Sequence, residues 1–431
     1  MENPKLTSLS ATEAMVLITA GDISARELLE ASIERIDERE PEIHAWSHLD
    51  FEVARKRADL ADRRRRNGEV LGALHGLPVG VKDVFDTHDM PSEYGSRLYR
   101  GRVPSTDAAA VTVLRNAGAV IVGKTTTSEF GMYHPPETRN PRDISRSPGV
   151  SSSGAAASVV DFMVPLGLGT QHTASTTLPA SFCGAFAFKP SFGFTDMSGS
   201  NILVPRLSHL GLLARSVDDL SLFASAYQPS LRKPLDASLN PRIALVHGPG
   251  WSRCSDDARQ ALHRFADDLK IEVSVIEMDD SMGSAPDVTM SLLDAHMSYR
   301  FGMLPPSDLA QLCGPLRQCI EDGSKISASQ YIRLNATIDG YAEAAQTLLD
   351  AFDAVITLSA CGEATTLEEG PGSGVMSMFW SLCGLPTVSL PLLTGASGLP
   401  IGIQVIAGRN SDGKLLQVAK WIELKARGMT R

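Results

Sequence analysis

The chain changes rhythm near residue 70. Before it, apolar positions recur at helical spacing. Leu29, Ile33 and Ile36 share one face, and Ser10-Ala-Thr-Glu13 and Ser24-Ala-Arg-Glu27 have the form of capping boxes at helix starts. From residue 75 onward, short apolar runs alternate with helical stretches. LPVGV (77–81), AVIVG (119–123), MVPLGLG (163–169), RIALV (242–246), VSVIEM (273–278), DAVITL (353–358), PTVSLPL (386–392) and PIGIQVIAG (400–408) read as buried strands. Such alternation predicts an α/β protein of one domain. Its sheet should be large and mixed, mostly parallel, and covered by helices on both faces.

The pattern divides the chain into four stretches. Residues 1–70 form a helical region packed on the core, 71–225 make up the main part of the core, and 351–431 give the C-terminal part of its sheet. Residues 226–350 are variable and partly helical: 228–241, rich in Pro, Ser and Lys, reads as a surface connection, and 290–350 lacks strand character. The run Arg63–Arg66 precedes Asn67-Gly68 and reads as the end of a solvated helix, where positive charge complements the dipole. No repeat of solenoid type occurs.

Composition narrows the function classes. Hydrophobic residues make up 43% and charged residues 21%, enough for a sizeable core. The formal charge of −10 offers no basic field for nucleic acid or an anionic membrane. MENPKLTSLS lacks the plan of a secretory signal, and no uncharged apolar run approaches a membrane span. Cysteines 183, 254, 313, 319, 361 and 383 are scattered without CxxC or a Cys/His metal spacing, so they read as reduced thiols of a cytoplasmic protein.

Two patterns suggest chemistry. Gly118-AVIV-Gly123-Lys124-Thr125 satisfies the phosphate-loop expression, but its middle is made of strand formers and the order is helix, strand, loop. A phosphate loop needs strand, loop, helix. The second pattern joins GLPVGVKD (76–83), SPGVSSSGAAAS (147–158) and GTQHTASTTLPA (169–180). Lys82 ends an apolar strand. It is either an ion-pair partner of Asp83 or a lysine whose pKa burial lowers until it can serve as a base.

Together these segments resemble the amidase signature family. Its signature is matched by residues 147–190, and the likeness extends through GLPVGVKDVFDT, AGAVIVGKTTTSEFGM, LSHLGLLARSVDDL and GLPTVSLPLLTGASGLPIGIQVIAG. The likeness is nearest to the malonamidase branch, which also has Gln where Gln171 stands. The resemblance implies the amidase signature fold, with residues 71–225 as the signature core. It places the nucleophile at Ser175, the bridging serine, preceded by a cis peptide, at Ser151 and the base at Lys82. Backbone N–H groups of His172, Thr173, Ala174 and Ser175 would form the oxyanion hole. The implied activity is hydrolysis of linear amides through an acyl-enzyme, with no cofactor and no metal. A small-molecule substrate is implied, and a homodimer is compatible with it. No G-x-S-x-G of the α/β-hydrolases occurs, and His172 reads as a pocket wall or a surface imidazole.

Three departures sharpen the expectations. Thr173 and Ala174 replace a glycine pair, and a left-handed backbone at either would cost about 1–2 kcal/mol and tilt an N–H away. Val150 replaces another glycine, before Ser151. Leu178 stands where the malonamidase branch has a carboxylate-binding arginine. A neutral amide, anilide, carbamate or ester is therefore expected, with Phe130, Gly131, Met132, Thr177 and Leu178 as its contacts. A non-catalytic amide-binding or accessory relative, and the amidotransferase subunit of a glutamine-dependent complex, are the competing readings.

Overall fold

The computed structural model describes residues 6–132, 136–234, 236, 238–269, 273–278 and 280–429. Its centre is a single eleven-stranded sheet. The strands in chain order are β1 (Trp46–Leu49), β2 (Pro78–Lys82), β3 (Val120–Thr125), β4 (Leu166–Gln171), β5 (Phe186–Lys189) and β6 (His209–Ala214). They continue with β7 (Ile243–His247), β8 (Val273–Glu277), β9 (Ala354–Leu358), β10 (Thr387–Thr394) and β11 (Pro400–Ile406). In space the order is β1-β3-β2-β4-β6-β5-β10-β11-β9-β7-β8.

The sheet is mixed, as the alternation predicts, but parallel pairing does not dominate. Parallel pairs lie towards the two ends, β3-β2-β4 and β9-β7-β8. The centre from β4 to β9 is antiparallel throughout. The cause is in the connections. β5 reaches β6 through a loop holding only the short turn Pro205–Leu207, and residues 395–399 join β10 to β11. Neither link contains the crossover helix that parallel neighbours require.

Local signals were obeyed where they were strong. Ser10 and Ser24 cap the helices Ala11–Ala20 and Ala25–Ile43 with both halves of each capping box formed. The helix Phe51–Arg66 ends on its four arginines. VSVIEM forms β8, but it is not buried: it is the last strand of the sheet, and Val275 is 54% exposed. The helices Ala285–Phe301, Gly314–Ser324 and Ala328–Ala351 fill the stretch without strand character. Among the described residues, no helix is long and apolar enough to cross a membrane.

Candidate active site

Lys124 closes the phosphate-loop question. It lies inside β3, fully buried, with Nζ 3.0 Å from Asp83 and donating to the Phe85 carbonyl at 2.8 Å. The helix Ala109–Asn116 precedes the strand, so the order is the wrong one for a phosphate cradle.

Because Asp83 is taken by Lys124, Lys82 has no carboxylate partner among the described residues. It is the last residue of β2, which pairs in parallel with β4 through Val81 and Leu168. This register brings Lys82 Nζ within 3.0 Å of Thr170 Oγ1. Ser151 Oγ lies 2.8 Å from the same nitrogen and Ser152 Oγ 3.0 Å. The side chain is wholly buried, and burial drives its pKa well below the usual lysine range. A neutral amine keeps a lone pair, so it can accept a proton from a neighbouring hydroxyl.

The two serine loops are locked together. The Ser152 N–H donates to the Ser175 carbonyl at 3.2 Å. The helix Ser153–Val160 can approach this closely because its residues are small. A Cβ on Gly154 would meet the Ala45 carbonyl oxygen at 2.5 Å. The resemblance implied a cis peptide at Ser151; every described peptide bond is trans, the lower-energy form for a non-proline residue. The Lys82–Ser151 contact is made with that trans bond in place.

Gln171 organises the loop that follows β4. Its Oε1 accepts from the Thr176 and Thr177 N–H groups at 2.9 and 3.0 Å, capping the helix Thr177–Cys183. Its Nε2 donates to Ser381 Oγ at 2.9 Å, and the Ser381 hydroxyl donates to the Thr173 carbonyl at 2.6 Å. Neither Thr173 nor Ala174 is among the described residues of positive φ, so their Cβ atoms impose no left-handed strain. Among the described residues, the N–H groups of Thr173, Ala174 and Ser175 find no protein acceptor. His172 is buried rather than superficial. Its Nε2 lies 2.9 Å from Ser208 Oγ, and burial, with Lys82 nearby, pushes its pKa down to about 3.

A cavity of about 170 Å³ opens against this loop, with Thr173, Ala174 and Ser175 on one wall. Ser128, Gly131, Met132 and Val150 form a second side. Met290 and Leu293, from the helix Ala285–Phe301, and Pro371, Gly372, Gly374 and Met378 complete it. No charged side chain is among these residues. Gly374 must be small, since a Cβ there would stand 2.7 Å from that of Ala174.

Of the expected substrate contacts, Gly131 and Met132 line the cavity and three others do not. Phe130 is fully buried behind the wall, its ring 4.7 Å from that of Phe301, with its carbonyl accepting from Asn201 at 2.8 Å. Thr177 is consumed by Gln171 and by Ser377 Oγ at 2.8 Å. Leu178 packs into a small apolar cluster with Ala174, Phe182, Ala360 and Ala364. All three sit one layer too deep: the helix Thr177–Cys183 turns Thr177 and Leu178 into the core, and Phe130, in the short turn Glu129–Gly131, packs against Phe301. Ser128 was missed by the sequence reading. Its Oγ is buried without a partner among the described residues, a signal visible only in three dimensions.

An eleven-stranded α/β sheet, with a buried lysine at a strand end held by hydroxyls from one of two interlocked serine loops, is the arrangement of an amidase-type protein. The chain belongs to the amidase signature family: the model described as amidase matches residues 27–416. A glutamyl-tRNA(Gln) amidotransferase subunit from Anaeromyxobacter sp. (strain K) is 31% identical, covering 97% of this chain and 96% of that protein. An amidase crystal structure superposes with a TM-score of 0.89 at 28% identity, covering 97% of this chain and 100% of the other. The native peptide amidase from Stenotrophomonas maltophilia does so with 0.83 at 25% identity, covering 97% of each.

Proposed function

We propose that this amidase-family protein is a serine amidohydrolase acting on a neutral, largely apolar small amide, and that Ser175 carries the acyl group. The observation supporting this reading is the 2.8 Å contact between Ser151 and a fully buried lysine with no carboxylate partner among the described residues. Neutral Lys82 takes the Ser151 proton while Ser151 takes that of Ser175, whose Oγ attacks the carbonyl carbon. The oxyanion is met by the free N–H groups of the 173–175 turn. The relay then runs backwards, protonating the leaving amine, and a water repeats the cycle to release the acid.

The uncharged wall sets the substrate class. Met132, Val150, Met290, Leu293 and Met378 offer an apolar surface, and a cavity of this size accepts a group on the order of one aromatic ring. Ser128 Oγ supplies a polar contact for orientation. Anilides, aryl or short alkyl amides, carbamates and small esters fit. Free glutamine, the substrate of a glutamine-dependent amidotransferase, brings a carboxylate and an ammonium. Neither meets a counter-charge on the described wall, so that alternative has less support here despite the names of the relatives.

A fluorophosphonate should label one serine in the native protein and none in Ser175→Ala; an unlabelled native protein would overturn the catalytic reading. Against a substrate panel, neutral anilides should be hydrolysed at rates above those of glutamine and malonamate. Ammonia release from glutamine that appears only with partner subunits would favour the amidotransferase instead.

A further inference from the structure

At the C-terminal end of the parallel strands β9-β7-β8, far along the sheet from Lys82, three side chains converge. His247 ends β7, Glu277 ends β8, and His263 stands on the helix Asp256–Asp268. The Nδ1–H of His247 donates to the Glu277 carboxylate. On the opposite side of that ring, His247 Nε2 faces His263 Nε2 at 3.1 Å. Trp251 stacks on the His247 ring, centroids 4.0 Å apart and planes 12° from parallel, which fixes its orientation.

We infer that His247 and His263 are the paired ligands of a divalent late-transition ion of the zinc, nickel or copper type. A carboxylate on Nδ1 holds the imidazole in the tautomer whose Nε2 carries a lone pair. This is the arrangement in which an outer carboxylate supports a metal-bound histidine. Two zinc–nitrogen bonds of about 2.0–2.1 Å at a near-tetrahedral angle put their nitrogens roughly 3.3 Å apart, close to the spacing here. The imidazole centroids, 5.1 Å apart with planes at 78°, let both lone pairs aim at one point between the rings. Imidazole suits these ions, and neither histidine is fully buried, so water can complete the shell. Asp267, one turn beyond His263, adds negative charge.

The other histidine–carboxylate group, His88, Asp89 and Asp107, is a weaker candidate. Arg115 already pairs with both of its carboxylates, at 2.6 and 2.9 Å. Fifteen residues lie between His247 and His263, a spacing no metal motif announces.

Titration of tag-free protein with Ni²⁺ or Zn²⁺ tests the site, followed by calorimetry and by indole fluorescence. One equivalent should bind, and Ni²⁺ should quench a signal that Trp251→Phe removes without abolishing calorimetric binding. His263→Ala, on a half-buried helix face, should weaken binding at least tenfold, and Glu277→Gln by about 10–100-fold. His88→Ala should bind as the native protein does. Far-ultraviolet circular dichroism confirms that each variant is folded. Equal affinity of the native protein and folded His263→Ala, or no stoichiometric binding by the native protein, would overturn the assignment and leave a simple N–H···N hydrogen bond.

Discussion

Lys82 carries the strongest expectation at the scale of single residues. Burial lowers its pKa, so under the proposed mechanism the neutral amine is the form that acts. Hydrolysis should therefore rise with pH through that depressed pKa and stay high well below the usual lysine range near 10.4. A kcat/KM profile that climbs only above pH 9 would show that burial does not depress the Lys82 pKa. Lys82→Ala should lose about 10²–10⁴-fold in kcat if the residue is the general base, with KM nearly unchanged. That Lys82, Ser151 and Ser175 belong to one neighbourhood was legible in the sequence, because their segments form one long motif and its upstream strand. Ser128 was not, since its distinguishing feature is an unmet hydrogen bond. The depth of Thr177 and Leu178 was equally hidden, because spacing along a loop does not say where the next helix begins.

At the scale of elements, long apolar runs declared themselves and short or polar strands did not. WSHL and FAFK are four-residue strands with one or two strongly β-forming side chains. HLGLLA carries a histidine and a glycine, yet it lies at the middle of the sheet, held by β4 and β5. Their antiparallel pairing is what displaced the parallel expectation. The helix Ala285–Phe301 belongs to a stretch in which no motif marked a functional residue, yet it brings Met290 and Leu293 to the cavity. Met290→Ala should widen that wall with little effect on the fold, because Met290 is only half buried. The ratio of kcat/KM for a bulky over a small acyl group should then rise about tenfold, the order of a few methylenes of pocket contact. An unchanged ratio would place the acyl group elsewhere.

For the whole molecule, buried histidines set the response to acid. His172 is pushed down to about 3 and His209 well below its ordinary value, both chiefly by burial. Each folded pKa lies below that of the unfolded chain, near 6.5, so the unfolded state binds more protons below that pH. Stability should be full above pH 6.5 and decline as the pH falls towards 3, by up to about 1.4 kcal/mol per pH unit for each group. Urea midpoints between pH 7 and 4 measure this, and His172→Gln should shallow the slope by about one proton. Identical slopes for the two proteins would mean that His172 titrates normally in the fold.

The cavity is built from two unrelated sources. Its chemical floor comes from β2, β4 and the loops beside them, while much of its wall comes from residues 290–293 and 371–378. Mutations in the wall need not disturb the hydrogen bonds around Lys82. If the proposed reaction holds, a lineage carrying this fold can drift from one amide to another through wall changes that leave those bonds intact, keeping an inherited reaction while its diet changes.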